Sequence, residues 1–240
     1  MAYTSWRGVV RLIKPTMRPG SLEEMIRMLP DGIGVIPLLN NVREGTREEF
    51  AKAIPAYEAK ARELVEQGVD VIIPSGTPPF MLQGYAGEAR LIASWEKKYN
   101  TRFFTSGMAH VGALRALKIK KWIGATYSSI QNKIVLKYMK EAGFNVLGLE
   151  PIDVPFDKVQ NISSQELYGH IKKIFLKNST ADGIYIQGGG WRVLDIVDLL
   201  EQDLGVPVVH AGCAQAWMVQ KMLHVHQLQP GCGRLMAELP

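Results

Sequence analysis

The sequence predicts an α/β protein of two pseudo-symmetric lobes, each a parallel sheet flanked by helices, with its site in the cleft between them. Three observations carry that expectation. Short β-branched runs alternate with helical stretches along the whole chain, the pattern of βαβ units. The pattern occurs twice, because "DVIIPSGT" at 70–77 lines up with "DGIYIQGG" at 182–189, 112 residues on. Nearly every expected strand also ends in a small or hydroxyl-bearing turn, at the carboxyl edge where open parallel sheets bind ligands.

In chain order, strands are expected at 8–13, 32–38, 69–74, 102–105, 121–126, 144–149, 182–187 and 206–210. Each is a short apolar run bounded by turn residues. Helical periodicity fills 46–68, 86–99, 108–118, 129–142, 164–177, 191–203 and 213–226. The repeat extends beyond its clearest segment. The strand at 32–38 maps onto 144–150, and "KPT" at 14–16 onto "TYS" at 126–128. "TSGMAHVGALRAL" at 105–117 maps onto "HAGCAQAWMVQKM" at 210–222, here 105 residues apart. The expected division is therefore 1–119 for the first lobe, 120–225 for the second, and 226–240 for a tail returning to the first lobe. No low-complexity linker separates the lobes, so they should pack tightly.

Composition narrows the function classes. With 47% hydrophobic and 21% charged residues the chain is an ordinary globular protein and not a disordered one. The net charge of +5 is spread along the chain. Its one cluster, "LKIKKW" at 117–122, reads as a solvated turn without a nucleic-acid motif. Small acidic substrates are at least as compatible with such a mild field. Cys213 and Cys232 form no CxxC and no metal spacing, so neither a disulfide framework nor a metal site is expected. The start "MAYTSWRG" has no apolar core of a leader, and a cytoplasmic protein with no membrane or nucleic-acid partner is the expectation. A homo-oligomer stays open.

Three consecutive glycines, Gly188-Gly189-Gly190, stand where a strand gives way to the next helical pattern. Neither a Walker ending nor G-x-G-x-x-G follows, so a nucleotide loop is excluded. A tight packing turn competes with an anion cradle at a helix start. Pairing with Ser75-Gly76-Thr77 in the other lobe favours a site. The strand ends together bring Lys14, Thr16, Gly76, Thr77, Pro78, Tyr127 and His210 toward one cleft. Lone histidines more often cap or fill core edges, yet His210 is placed for acid–base work. Cys213 opens a helix, where a thiol would be activated if solvent reached it, although a small buried residue is the ordinary role. Arg11 inside the apolar "VVRLI" calls for a carboxylate partner or a path to the rim.

"GVVRLIKPT", "VDVIIPSGTPPF", "ATYSSIQNK", "DGIYIQGGGWRVLD", "LGVPVVHAGCAQAW" and "PGCGRL", in that order, resemble the aspartate/glutamate racemase superfamily. Within it they are most similar to the maleate isomerase and arylmalonate decarboxylase branch. The resemblance implies chemistry without a cofactor at a carbon next to a carboxylate. It also implies a thiol at one or both strand-end turns, and hydroxyl and backbone donors that hold an enediolate. Carried over by position, Thr77 and Tyr127 match hydroxyl donors and Gly189 a backbone donor, while Asn132 and Thr16 join the substrate contacts. The two thiol positions fall on Gly76 and Gly188, and Pro78 lacks the N–H a relative would offer. The proton must then come from elsewhere: Tyr127, His210 and Lys14 are candidates, Cys213 is a poorer one, and bound water is a further source. The glycines are expected to leave room for a larger substrate. A decarboxylase or other lyase is the leading expectation. The alternatives are an isomerase or racemase with a non-cysteine acid/base, and a non-catalytic carboxylate binder.

Overall fold

In the computed structural model, which describes residues 3–240, two four-stranded parallel sheets repeat one topology. The first holds β1 (Gly8–Lys14), β2 (Ile33–Leu39), β3 (Val71–Pro74) and β4 (Arg102–Phe103), in the spatial order β2-β1-β3-β4. The second holds β5 (Lys121–Thr126), β6 (Asn145–Pro151), β7 (Gly183–Ile186) and β8 (Val208–His210), in the order β6-β5-β7-β8. The same order twice is what the 112-residue repeat implied. The central strands β3 and β7 are buried along their whole length, as parallel strands covered on both faces must be.

In the first lobe the helices are α1 (Ser21–Met28), α2 (Arg47–Ala51), α3 (Ile54–Val65), α4 (Thr77–Met81), α5 (Tyr85–Tyr99) and α6 (Ser106–Ala116). The second has α7 (Ser129–Glu141), α8 (Ser164–Lys177), α9 (Val197–Leu204) and α10 (Ala211–Met222), and α11 (Arg234–Glu238) closes the chain. Side-chain caps start several of them. Thr46, Thr105 and Ser128 each accept a backbone N–H, and Ser163 forms a reciprocal box with Glu166.

The structure redraws three of the expected helices and adds α1. The stretch 46–68 splits into α2 and α3, because Pro55 sits in the first turn of α3, where a missing N–H costs nothing. The helix expected from 191 begins only at Val197, so the triple glycine does not open a helix. The last long helix ends at Met222, which leaves His224, at φ 53°, and His226 in a loop. The periodicity over 21–28 that folds as α1 was not assigned to a helix.

The tail also departs from expectation. Gln227 does accept from Arg7 of the first lobe, but α11 seats on the second. Asp198 accepts from Gly233 N at 2.7 Å, and Glu201 accepts from Arg234 N at 2.9 Å and from Val208 N at 2.7 Å. Leu235 and Met236 are buried there beside α10 and β8. Unsatisfied N–H groups at the start of α11 find carboxylates on α9 that the first lobe does not present.

One apolar cluster runs through both lobes, from Val10, Met28 and Phe104 to Trp122, Tyr138 and Trp217. Helices α6 and α10 pack together at its centre. Between α5 and α7, the fully buried Glu88 accepts from Thr105 Oγ1 at 2.6 Å and from the Tyr138 hydroxyl. This network ties α5 of the first lobe to α7 of the second. Among the described residues, no helix is long and apolar enough to cross a membrane.

Candidate active site

The carboxyl ends of both sheets converge on one cavity of about 110 Å³. That volume suits a small organic molecule and not a dinucleotide. Lys14, Thr16, Gly76, Thr77, Pro78, Tyr127, Gly188, Gly189, Gly190 and His210 all border it. Asn132 does not. Its side-chain oxygen accepts from Thr126 Oγ1 and its nitrogen donates to Leu149 O at 2.8 Å, so it ties α7 to β5 and β6.

The first lobe supplies a wall of hydroxyls that is already knitted together. Gly76 N donates to Ser106 Oγ at 3.1 Å, and so does Gln215 Nε2, from α10 of the other lobe, at 3.1 Å. Ser75 Oγ lies 3.4 Å from the same oxygen. The Gly76 N–H is therefore occupied, whereas the Ser106 hydroxyl proton and Thr77 remain at the cavity face. Gly76 itself adopts φ +103°, a region that penalises any side chain. A Cβ there would also lie 2.8 Å from the Tyr57 hydroxyl and 2.9 Å from Pro15.

The second lobe solves the matching position differently. Gly188 has no such backbone demand, but the Trp191 indole lies against it, with Cδ2 2.9 Å from where a Cβ would start. Gly190 N donates to the Tyr127 hydroxyl oxygen at 2.5 Å, and the Tyr127 ring meets Trp191 edge-on at 4.7 Å. The Tyr127 proton is left for a ligand, and burial pushes this phenol up to about 12, so it stays protonated. Gly189 alone is open, with only Ser21 within 4 Å of a would-be side chain. The room expected beside the glycines is thus filled by Trp191 on one side and by Tyr57 and Pro15 on the other.

The titratable groups sort themselves by environment. His210 is fully buried at the cavity wall with neither ring nitrogen in a well-formed hydrogen bond, and burial holds its pKa down to about 4 against the opposing pull of the Gly188 backbone. At neutral pH it is an imidazole able to accept a proton and not an imidazolium able to give one. Behind it, His110 pairs with the Tyr185 hydroxyl at 2.7 Å and is held down to about 3. Lys14 Nζ donates to Arg18 O at 2.8 Å, and burial lowers its pKa. Arg18 borders the cavity with its guanidinium over the Phe156 ring at 4.0 Å. Cys213 is fully buried with its thiol pushed far up, so it is a packing residue. Arg11 is also buried, and its Nε has no partner.

Several bordering polar side chains, Ser21, Glu24, Gln187 and Gln215 among them, carry no direct signal in the sequence. Glu24, on the inner face of α1, is raised to about 7, first by burial and then by Asp195. The Leu194 N–H, Arg27 and Arg192 pull the other way. Its signal was helical phase, since Glu24 shares its buried face with Met25 and Met28.

The chain matches the arylmalonate decarboxylase family over residues 26–236, and belongs to it. It is 26% identical over 217 residues to arylmalonate decarboxylase of Bordetella bronchiseptica, which covers 87% of this chain and 90% of that protein. Among solved structures, maleate isomerase Iso from Pseudomonas putida S16 superposes with a TM-score of 0.89 at 20% identity, over 97% of this chain and 99% of that one. A maleate cis-trans isomerase of Nocardia farcinica bound to TRIS gives 0.87 at 18% identity, over 96% and 98%. A crystal structure of arylmalonate decarboxylase gives 0.80 at 22%, over 96% and 99%. At these identities the structures establish a shared two-lobed fold.

Proposed function

We propose, from the chain's place in this family, that it is a cofactor-independent enzyme acting at the α-carbon of a small carboxylic acid through an enediolate, and that it is a decarboxylase. The observation that carries the reading is the pairing of donors across one small cavity. Thr77 and the Ser106 hydroxyl lie on one side, and the Tyr127 O–H and the open Gly189 turn on the other. Such fixed donors, aimed where charge develops, lower the barrier to a carbanion by several kcal/mol. In the step, the bond from the α-carbon to one carboxyl breaks and its electron pair passes into the remaining carboxyl. CO2 leaves, and one proton adds to the α-carbon.

The thiols that relatives bring to this chemistry are replaced, on this reading, by Gly76 and Gly188. The Trp191 ring against Gly188 makes the second replacement part of the packing. Losing CO2 needs the anion site more than any one acid, which favours a lyase over a two-thiol racemase. The test is incubation of the purified protein with a panel of substituted malonates in deuterated water. CO2 release with one deuterium gained at the α-carbon is expected. Deuterium exchange without loss of carbon would make the chain an isomerase. Ligand-induced thermal stabilisation without either reaction would make it a binder.

A further inference from the structure

We propose that Glu24 is the proton carrier of this site, delivering the proton to the α-carbon that relatives deliver with a thiol; the proposal rests on the enediolate reading above. The geometry begins with α1, which lies along the cavity and turns Ser21, Glu24 and Met25 into it. Ser21 Cβ is 3.8 Å from where a Gly189 side chain would begin, so this face of the helix closes directly over the second-lobe turn. Glu24 follows one helical turn after Ser21 and is the one carboxyl among the residues bordering the cavity. The helix belongs to the first lobe and the Leu194 N–H beside the carboxyl to the second, so Glu24 spans the cleft where substrate must sit.

The groups that face it are Arg27 on its own helix, Arg192 and Asp195 on the loop after β7, Tyr127 after β5, Cys213 on α10 and Cys232 in the tail. None of the other bordering groups supplies a proton readily at neutral pH. His210 is already neutral, the Tyr127 phenol is held far too basic, and Lys14 is engaged with the Arg18 carbonyl. A carboxyl near 7 is the acid whose strength matches the working pH. A carboxyl buried on a helix face with Met25 and Met28 also costs folding energy, as functional groups characteristically do. In the step, the Glu24 O–H bond breaks toward the α-carbon, the enediolate pair forms the new C–H bond, and the carboxylate left behind takes a proton from water.

The substitutions are Glu24→Gln, which keeps the shape and an acceptor for the Leu194 N–H, and Glu24→Asp, which keeps the acid. On any malonate the protein turns over, Glu24→Gln should lower kcat about 10²–10⁴-fold with KM little changed. Glu24→Asp should recover part of that loss. The wild-type rate should fall as pH rises through about 7, because only the protonated acid acts, and that limb should vanish in Glu24→Gln. An unchanged kcat in Glu24→Gln would overturn the proposal. If no malonate reacts, the enediolate reading is what has failed, and infrared spectroscopy of the full chain still decides the proton. A protonated-carboxyl band should fade between pH 5 and pH 8 in the wild type, with a midpoint near 7, and be missing from Glu24→Gln. Its absence from the wild type overturns the proposal.

Discussion

At the end of β4, Thr105 turns its hydroxyl inward, accepting from Met108 N at 3.1 Å and donating to Glu88 at 2.6 Å. At the end of β8, His210 opens α10 without capping it and leaves both ring nitrogens without a well-formed hydrogen bond at the cavity wall. The two residues hold the same place in the two copies of the fold. In one copy the polar group stabilises the helix start and the lobe contact, and in the other it is kept free at a cost in stability. The strand-end glycines differ in the same way. Gly76 runs straight into α4 with a backbone that only glycine tolerates well, while Gly188 is followed by a loop that folds Trp191 back on it. The two equivalent edges thus differ: the first is a rigid, hydrogen-bonded wall, and the second keeps a buried imidazole behind the cavity surface.

Placing a thiol at each glycine separates the two cases. Gly76→Cys meets both a left-handed backbone and the Tyr57 and Pro15 contacts, and should cost about 2–4 kcal/mol in chemical denaturation. Gly188→Cys meets only the indole and should cost roughly 1–3 kcal/mol. The cost at 188 should also shrink when Trp191 is made Leu, since the two side chains compete for one space. Equal, background-independent losses at the two sites would mean that the lobes restrict these positions by the same means.

Much of this is legible in the sequence. The repeat placed all eight strands within a few residues, because a buried parallel strand is an apolar run with a turn residue at each end. It also brought Lys14, Gly76, Tyr127, Gly188 and His210 to one edge, because every parallel strand ends on the same side. What it hid is which way a side chain turns. In "SLEEM", Glu23 reaches back to Gly20 N at 2.7 Å at the surface while Glu24 points inward, and adjacent letters cannot reveal that phase. Asn132 looked like a substrate contact in "ATYSSIQNK", yet α7 turns it onto Thr126 and Leu149. Trp191 reads as the start of a helix and folds instead as the plug on Gly188, a choice made by Tyr127 from elsewhere in the chain, which stacks edge-on against Trp191 and accepts from the neighbouring Gly190 N.

The smallest expected effects bear on the comparison most directly. Thr105→Val keeps the volume but removes the α6 cap and one of the two donors to the buried Glu88 carboxylate. Losing a cap costs about 1 kcal/mol, and an unmet buried oxygen adds to that. His210→Leu removes no well-formed hydrogen bond, only a contact with the Gly188 backbone, and it replaces a desolvated polar ring with an apolar group. Its stability should stay within about 0.5 kcal/mol of the wild type or rise slightly, because the desolvation penalty of an unpaired imidazole disappears. Binding of a carboxylate probe, followed by quenching of tryptophan fluorescence, should weaken in His210→Leu and hold in Thr105→Val. The opposite pattern, with His210→Leu unfolding readily and binding unaffected, would return His210 to the core-edge role ordinary for histidine. The two lobes would then share a structural residue at this position, and the polarity of the second edge would have to come from Tyr127 and Glu24 alone.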